Sequence, residues 1–191
     1  RLLQGDVGSG KTIVATIAMV ATALTGKQAA LMVPTEILAE QHMLTIERLI
    51  QGTPVKAVLL TGSMNRSQKK RKELLAQIES GEANLIIGTH ALFQQDVTFK
   101  DLAFVVIDEQ HRFGVQQRQA LAGKGAGVNV LQMTATPIPR TLAITAFGEM
   151  DTSILSEIPR GRQPIKTSWV REQEMEQIFN FVERQIQEGR Q

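Results

Sequence analysis

The chain contains no cysteine, which excludes disulfides and thiolate metal sites and suits a reducing, cytoplasmic setting. No apolar run approaches the roughly 18 residues that a membrane span requires, so a soluble chain with no membrane partner is expected. Its three histidines, His42, His90 and His111, lack metal-ligand spacing and have no cysteine near them, so no zinc site is expected. There is no internal repeat and no low-complexity segment. Charge of one sign is scarce too: 21 Lys and Arg against 19 Asp and Glu leave a net +2. The pI of about 9.1 permits nucleic acid as a partner without arguing for it. An initiating methionine is also missing. Arg1 stands first and a strand begins almost at once, so the natural start, with any targeting signal, is expected upstream. What is present is 191 residues with 42% hydrophobic content, enough for one α/β core and part of another.

Against that background one stretch stands out. Gly5-Asp6-Val7-Gly8-Ser9-Gly10-Lys11-Thr12 fits the phosphate-loop pattern at every fixed place. Glycines let successive backbone N–H groups turn toward β and γ phosphates, where a side chain at Gly8 or Gly10 would obstruct. Lys11 supplies a point charge. Thr12, in the first turn of the next helix, is placed to ligate Mg2+ while the helix N-terminus faces the anion. The context agrees: Arg1 to Gln4 reads as the end of a strand, and Ile13 to Thr25 as a helix stopped by Gly26.

Strands and helices then alternate. Gln28 to Val33 is an apolar run closed by Pro34, which reads as a strand buried on both faces. Thr35 caps a helix that runs through Ile50 before Gly52. Val55 to Leu60 reads as a strand, Arg66 to Ser80 as a helix with a basic front end, and Asn84 to Ile87 as a strand followed by the loop Gly88-Thr89-His90. Ala103 to Ile107 is the most apolar short run and leads straight into Asp108-Glu109-Gln110-His111. A helix over Val115 to Ala122, a glycine-rich turn and a strand over Val128 to Met133 precede Thr134-Ala135-Thr136-Pro137-Ile138-Pro139-Arg140. This alternation predicts a parallel, doubly wound α/β sheet with one functional edge.

From Asp151 the composition shifts to a Pro, Gly and Arg linker over 151–171, with an apolar stretch Ile165 to Val170 inside it. A charged helix from Glu172 to about Glu188 follows. Its stripe Met175, Ile178, Phe179, Val182 and Ile186 suggests a second unit, starting at 172–191 and cut short. Bland readings attach to other residues. Arg66, Lys69, Lys70, Arg71 and Lys72 read as a solvated helix face rather than a DNA contact, and Trp169 as a strand-packing residue.

Asp108 and Glu109, at the end of a buried strand, are the expected partners of a phosphate loop. Asp108 would hold Mg2+ through water, and Glu109 would orient and deprotonate the attacking water. In order along the chain, Gly5 to Thr12, Pro34-Thr35-Glu36, Thr61-Gly62-Ser63, Gly88-Thr89-His90, Asp108 to His111 and Thr134-Ala135-Thr136 resemble motifs I, Ia, Ib, II and III of superfamily 2 helicases. More closely, Asp108 to Gly114 and Met133 to Leu142 resemble the RecG-type branched-DNA helicases of bacteria, and this resemblance runs along essentially the whole chain. Transcription-repair coupling factors are near relatives, but they typically show Phe where Ser9 stands and Glu where Gln110 stands.

The resemblance implies a first RecA-like motor lobe over 1–150, a three-layer α/β/α phosphate-loop NTPase that binds ATP and Mg2+ and grips branched duplex DNA. A second RecA-like lobe and an upstream wedge domain of the same protein would be its partners, adenine recognition would lie upstream of residue 1, and the setting would be the bacterial nucleoid. His111 would link the γ phosphate to motif III, and Lys11 would join it and Glu109 in catalysis. Thr134 and Thr136 would couple lobe closure to DNA grip. Pro34, Thr35, Gly62, Ser63, Thr89 and His90 would face the sugar-phosphate backbone, with Arg140 as a further phosphate contact. Such small hydroxyls and N–H groups position a duplex without reading its bases.

Three rivals stay open. A repair translocase shares the motor. A small-molecule phosphoryl-transfer kinase shares the phosphate loop but needs an Arg-bearing lid, which is not evident, and would leave Thr134 and Thr136 without a task. A non-catalytic nucleotide-binding interaction module would have no need of Glu109.

Overall fold

Hydrophobic runs of four to six residues, each followed by a helix or loop, assemble into the fold. The computed structural model describes residues 1–63, 68–109, 123–125, 127–136, 150–156, 167 and 169–189. Two compact units divide after Pro159. The first holds strands β1 (Leu2–Gly5), β2 (Gln28–Met32), β3 (Ala57–Leu60), β4 (Leu85–Gly88), β5 (Leu102–Ile107), β6 (Asn129–Thr134) and β7 (Thr152–Leu155), with helices α1 (Lys11–Leu24), α2 (Glu36–Leu49) and α3 (Gln68–Ser80). The strands form one sheet in the order β3-β4-β2-β5-β6-β1-β7, and every pairing is parallel.

Alternation along each central strand sends side chains to both faces, and each face has its own core. Leu31, Leu85, Ile87 and Val106 pack with Ala15 and Met19 of α1 and Ala39 and Ile46 of α2. Ala30, Met32, Ile86, Val105 and Ile107 pack with Ile78 of α3 and with Leu92. The result is the expected three-layer arrangement. Local sequence sets the start of α2 and the end of α1. Thr35 Oγ1 caps α2 by accepting from Leu38 N–H at 3.3 Å, and Gly26 leaves α1 in the left-handed region at φ 81°.

Two residues lock the layers. Buried Gln28 donates through Nε2 to the carbonyls of Ile78 and Ala83 and accepts at Oε1 from Lys100 and Asp101 N–H, so one side chain ties α3's end to the start of β5. Gly88 lies so close to β3 that a Cβ there would sit 2.3 Å from the Leu60 carbonyl oxygen, an approach only glycine allows.

The linker expected from Asp151 needs correction at its start. Thr152–Leu155 is a strand paired in parallel with β1 from Leu2 to Gly5, so these residues belong to the first unit. It is an edge strand with alternating exposure, Ile154 being 68% exposed, and its apolar signal is too short to stand out beside the prolines and glycine that follow. The helix expected over Val115 to Ala122 lies outside the described residues, as do Ile165, Lys166 and Ser168. Trp169 is 84% exposed and packs no strand, contrary to expectation.

In the second unit, Arg160–Gln191, a 3-10 turn Glu172–Glu174 leads into α4 (Met175–Gln187). The expected stripe is there, and Met175, Phe179, Val182 and Ile186 are exposed.

Candidate nucleotide and nucleic-acid site

Parallel topology places the C-terminal end of every strand along one edge of the sheet, where loops carry the polar motifs. Strands β5, β6 and β1 are neighbours. Their ends therefore bring Asp108 and Glu109, Thr134 and the phosphate loop side by side, with Ile107 in register with Gln132 and Gln4 with Thr134.

In the phosphate loop, Gly8 and Gly10 have φ of 80° and 93°, and Gly10 is the N-cap of α1. No side chain caps that helix and no acidic residue occupies its first turn, which leaves the N–H groups of Lys11 and Thr12 for an anion, while that of Ile13 donates to the Gly10 carbonyl at 3.0 Å. Lys11 Nζ donates to the Gly5 and Asp6 carbonyls at 2.7 and 2.8 Å, so the ammonium is held over the loop by its own backbone. Ser9 Oγ is buried inside the loop without a partner, and a Cβ on Gly5 would come within 2.5 Å of it. An orphaned hydroxyl beside a glycine cradle, an uncapped helix and a lysine fit a triphosphate. Thr12, partly buried, opens α1 beside them, in position to reach a cation on that phosphate.

At the end of β5, Asp108 N–H donates to the Met32 carbonyl at 2.9 Å, which continues the ladder into β2. Its carboxylate is committed at both oxygens: Oδ1 accepts from Glu109 N–H at 3.0 Å, and Oδ2 lies 3.1 Å from His42 Nε2. Glu109 has φ 49°, in the left-handed region. A non-glycine residue there costs roughly 1–2 kcal/mol, and such strain gathers at functional sites. At the end of β6, Thr134 is fully buried, with Oγ1 2.9 Å from Thr136 Oγ1 and 3.2 Å from Thr136 N, so the two motif hydroxyls form one turn. Gln110, His111 and Arg140 lie outside the described residues.

The other half of the edge belongs to β3, β4 and β2, whose ends gather Thr61 to Ser63, Thr89-His90 and Pro34 to Glu36. Glu36 joins them. Its Oε1 accepts from Ser63 N–H at 2.8 Å, and it lies, with His90 Cε1, within 4 Å of where a Gly62 Cβ would be. Hydrogen bonds from the Ser63 hydroxyl and N–H hold the Glu36 carboxyl below the ordinary range. The link is therefore intact at neutral pH and is lost only as pH falls through that lowered value. Thr35, Ser63 and His90 are exposed, Pro34 and Gly62 partly so. Thr89 differs: it is 2% exposed and its hydroxyl is buried without a partner, so its side chain does not share their surface.

Two participants escaped the sequence reading, Glu36 as a brace and His42 as a partner of Asp108. Both act across the chain, over separations of 27 and 66 positions, where local pattern carries no signal. The basic run behaves mostly as a solvated face, with Lys69, Lys70 and Lys72 exposed. Arg71 is the exception, turned inward to bond Gln94 Oε1 and Asp96 Oδ2 at 2.8 and 2.7 Å.

A parallel sheet with a phosphate loop on one strand end and paired acids two strands away is the frame of a phosphate-loop NTPase. Residues 1–144 match the family model described as DEAD/DEAH box helicase, and the chain belongs to that family. It is similar to the ATP-dependent DNA helicase RecG of Bacillus subtilis, 56% identical over 191 residues, which is 100% of this chain and 28% of the relative. RecG of Streptococcus pneumoniae is 56% identical with the same coverage. Among solved structures, a RecG bound to a three-way DNA junction aligns with TM-score 0.79 and 39% identity over 99% of this chain and 25% of that one. A DEAD box protein from the hyperthermophile Methanococcus jannaschii, 22% identical with TM-score 0.59 over 80% of this chain and 44% of that one, shares the fold. The chain thus spans about a quarter of the length of the RecG relatives it matches. No helix among the described residues is long and apolar enough to cross a membrane.

Proposed function

We propose that this chain is the ATP-binding motor lobe of a RecG-type DNA helicase, one that remodels branched DNA such as stalled replication forks and Holliday junctions. The observation that carries the reading is the division of one sheet edge into two halves. The ends of β5, β6 and β1 hold the triphosphate residues, and the ends of β3, β4 and β2 hold small hydroxyl and glycine residues suited to a phosphodiester backbone. The match to RecG over the full chain supports the choice of substrate.

In this reading Gly5 to Lys11 hold the phosphates of ATP, and Thr12 and Asp108 hold Mg2+, which supplies charge neutralisation at the phosphates when bound. Glu109 takes the proton of the attacking water, with Lys11 and His111 beside it. Thr134 and Thr136 transmit the state of that half to the other. Pro34, Thr35, Gly62, Ser63, His90 and Arg140 form the DNA side, and Thr89 supports it from beneath, with its side chain buried and its N–H and carbonyl bonded to Leu60 and Leu92. A second RecA-like lobe and an upstream wedge domain complete the machine, in the bacterial cytoplasm at the nucleoid.

The DNA side is tested by forked-DNA binding of His90→Glu and Ser63→Ala. Each is expected to weaken binding by about tenfold, the size of one hydrogen bond to a charged group, and equally for forks of unrelated sequence. Unchanged binding, or a loss that depends on base sequence, would remove this half of the edge from the DNA contact.

A further inference from the structure

The sequence gives His42 no role beyond its lack of zinc-ligand spacing, yet the structure ties it to the acid at the end of β5. Its Nε2 lies 3.1 Å from Asp108 Oδ2, and the two side chains are only 12% and 14% exposed. Asp108 Oδ1 is already taken by Glu109 N–H at 3.0 Å. The carboxylate is thus gripped from two directions, by the backbone of its own turn and by a side chain of helix α2. A carboxylate bonded at only one oxygen keeps a soft, roughly two-fold terminal torsion, whereas one bonded at both is held in one plane. We propose that His42 is a positioning residue that fixes the orientation of Asp108 toward the cation on the bound nucleotide. This rests on the reading of Asp108 as the Mg2+-holding residue given above.

The physical basis is that of a partner one shell out from a metal. A group that bonds the ligating side chain orients it, and its removal typically costs about 10- to 100-fold in metal affinity. With Nε2 carrying a hydrogen, the ring donates to Oδ2, and each carboxylate oxygen keeps a further lone pair for a cation. Helix α2 is itself anchored, since Thr35 caps it and Glu36 in its first turn accepts from Ser63 N–H. Asp108 is therefore referenced to a rigid element as well as to its own turn.

The test is performed on the full chain with Mn2+ as a paramagnetic probe in place of Mg2+, read by electron paramagnetic resonance at saturating ATP. Affinity for a fluorescent ATP analogue without metal is measured in parallel. His42→Phe keeps the ring and removes the donor, and His42→Asn removes the reach of the donor, so one serves if the other does not fold. His42→Gln keeps a donor at comparable reach. The metal concentration at half-saturation is expected to rise about tenfold in His42→Phe and His42→Asn and to stay within about threefold of the parent in His42→Gln, with metal-free nucleotide affinity unchanged. If His42→Phe and His42→Asn bind Mn2+ as tightly as the parent, or if they only melt at lower temperature, His42 merely packs and the inference falls. Equal impairment in His42→Gln overturns it as well. Asp108→Asn separates the two layers of the argument. Unaltered Mn2+ affinity in Asp108→Asn sinks the underlying metal assignment, whereas loss there with normal His42 variants sinks only the role of His42.

Discussion

In the complete helicase proposed above, Glu109→Gln binds ATP as the parent does and turns it over about a thousandfold more slowly, within the usual range for loss of a general base. The substitution is nearly isosteric, and the amide keeps hydrogen-bonding capacity while losing the ability to take a proton. The backbone at Glu109 is left-handed, φ 49°, and its N–H bond to Asp108 is one that the substitution leaves in place. The site should therefore keep its shape, and a loss of about 4 kcal/mol in transition-state stabilisation should appear in kcat alone. Unwinding of a model fork should stop with it. Steady-state kinetics beside equilibrium nucleotide binding check this. A variant that still unwinds the fork at parental rate would show that Glu109 is not the base.

Lys11→Ala should fail at the earlier step. Its ammonium donates to the Gly5 and Asp6 carbonyls, and those same hydrogens are the ones a triphosphate would draw upon. Truncation removes both the charge over the loop and a clasp that holds the loop closed. Losing a hydrogen bond to a charged group costs about 1.5–3 kcal/mol, which predicts that ATP affinity falls by about ten- to a hundredfold. The two variants thus part cleanly, Glu109→Gln binding without turnover and Lys11→Ala losing both. Isothermal titration of the two side by side reads the difference, and parental ATP affinity in Lys11→Ala would remove the lysine from the site.

Most of the sheet was legible in the sequence because a parallel strand buried on both faces must be almost wholly apolar, and β2 after Gln28, β4 and β5 are such runs. The phosphate loop was legible because its glycines and lysine are demanded by local backbone geometry at fixed spacing. Strand β7 was hidden because an edge strand with one solvated face offers only Ile154 and Leu155 as apolar residues. The nucleotide half of the edge could be assembled from motif order, but the braces could not. Glu36 reaches Ser63, His42 reaches Asp108, and Arg71 reaches Asp96 through contacts that depend on strand order, a property of the whole fold. Trp169 shows the converse failure, since a large aromatic side chain was taken for packing and stands 84% exposed.

Behind both variants lies one claim, that Gly5 to Thr12 and Asp108-Glu109 are half of a composite ATP site. Helicases of the family that the sequence resembles complete it with arginines from a second lobe, and an arginine finger is worth about 10^3 to 10^5 in rate. The most direct measurement is the ATP turnover of the 191-residue chain by itself, with and without forked DNA. The account predicts weak binding and very slow hydrolysis that the fork barely changes. Rapid turnover by the chain alone, rising strongly with added fork, would contradict it.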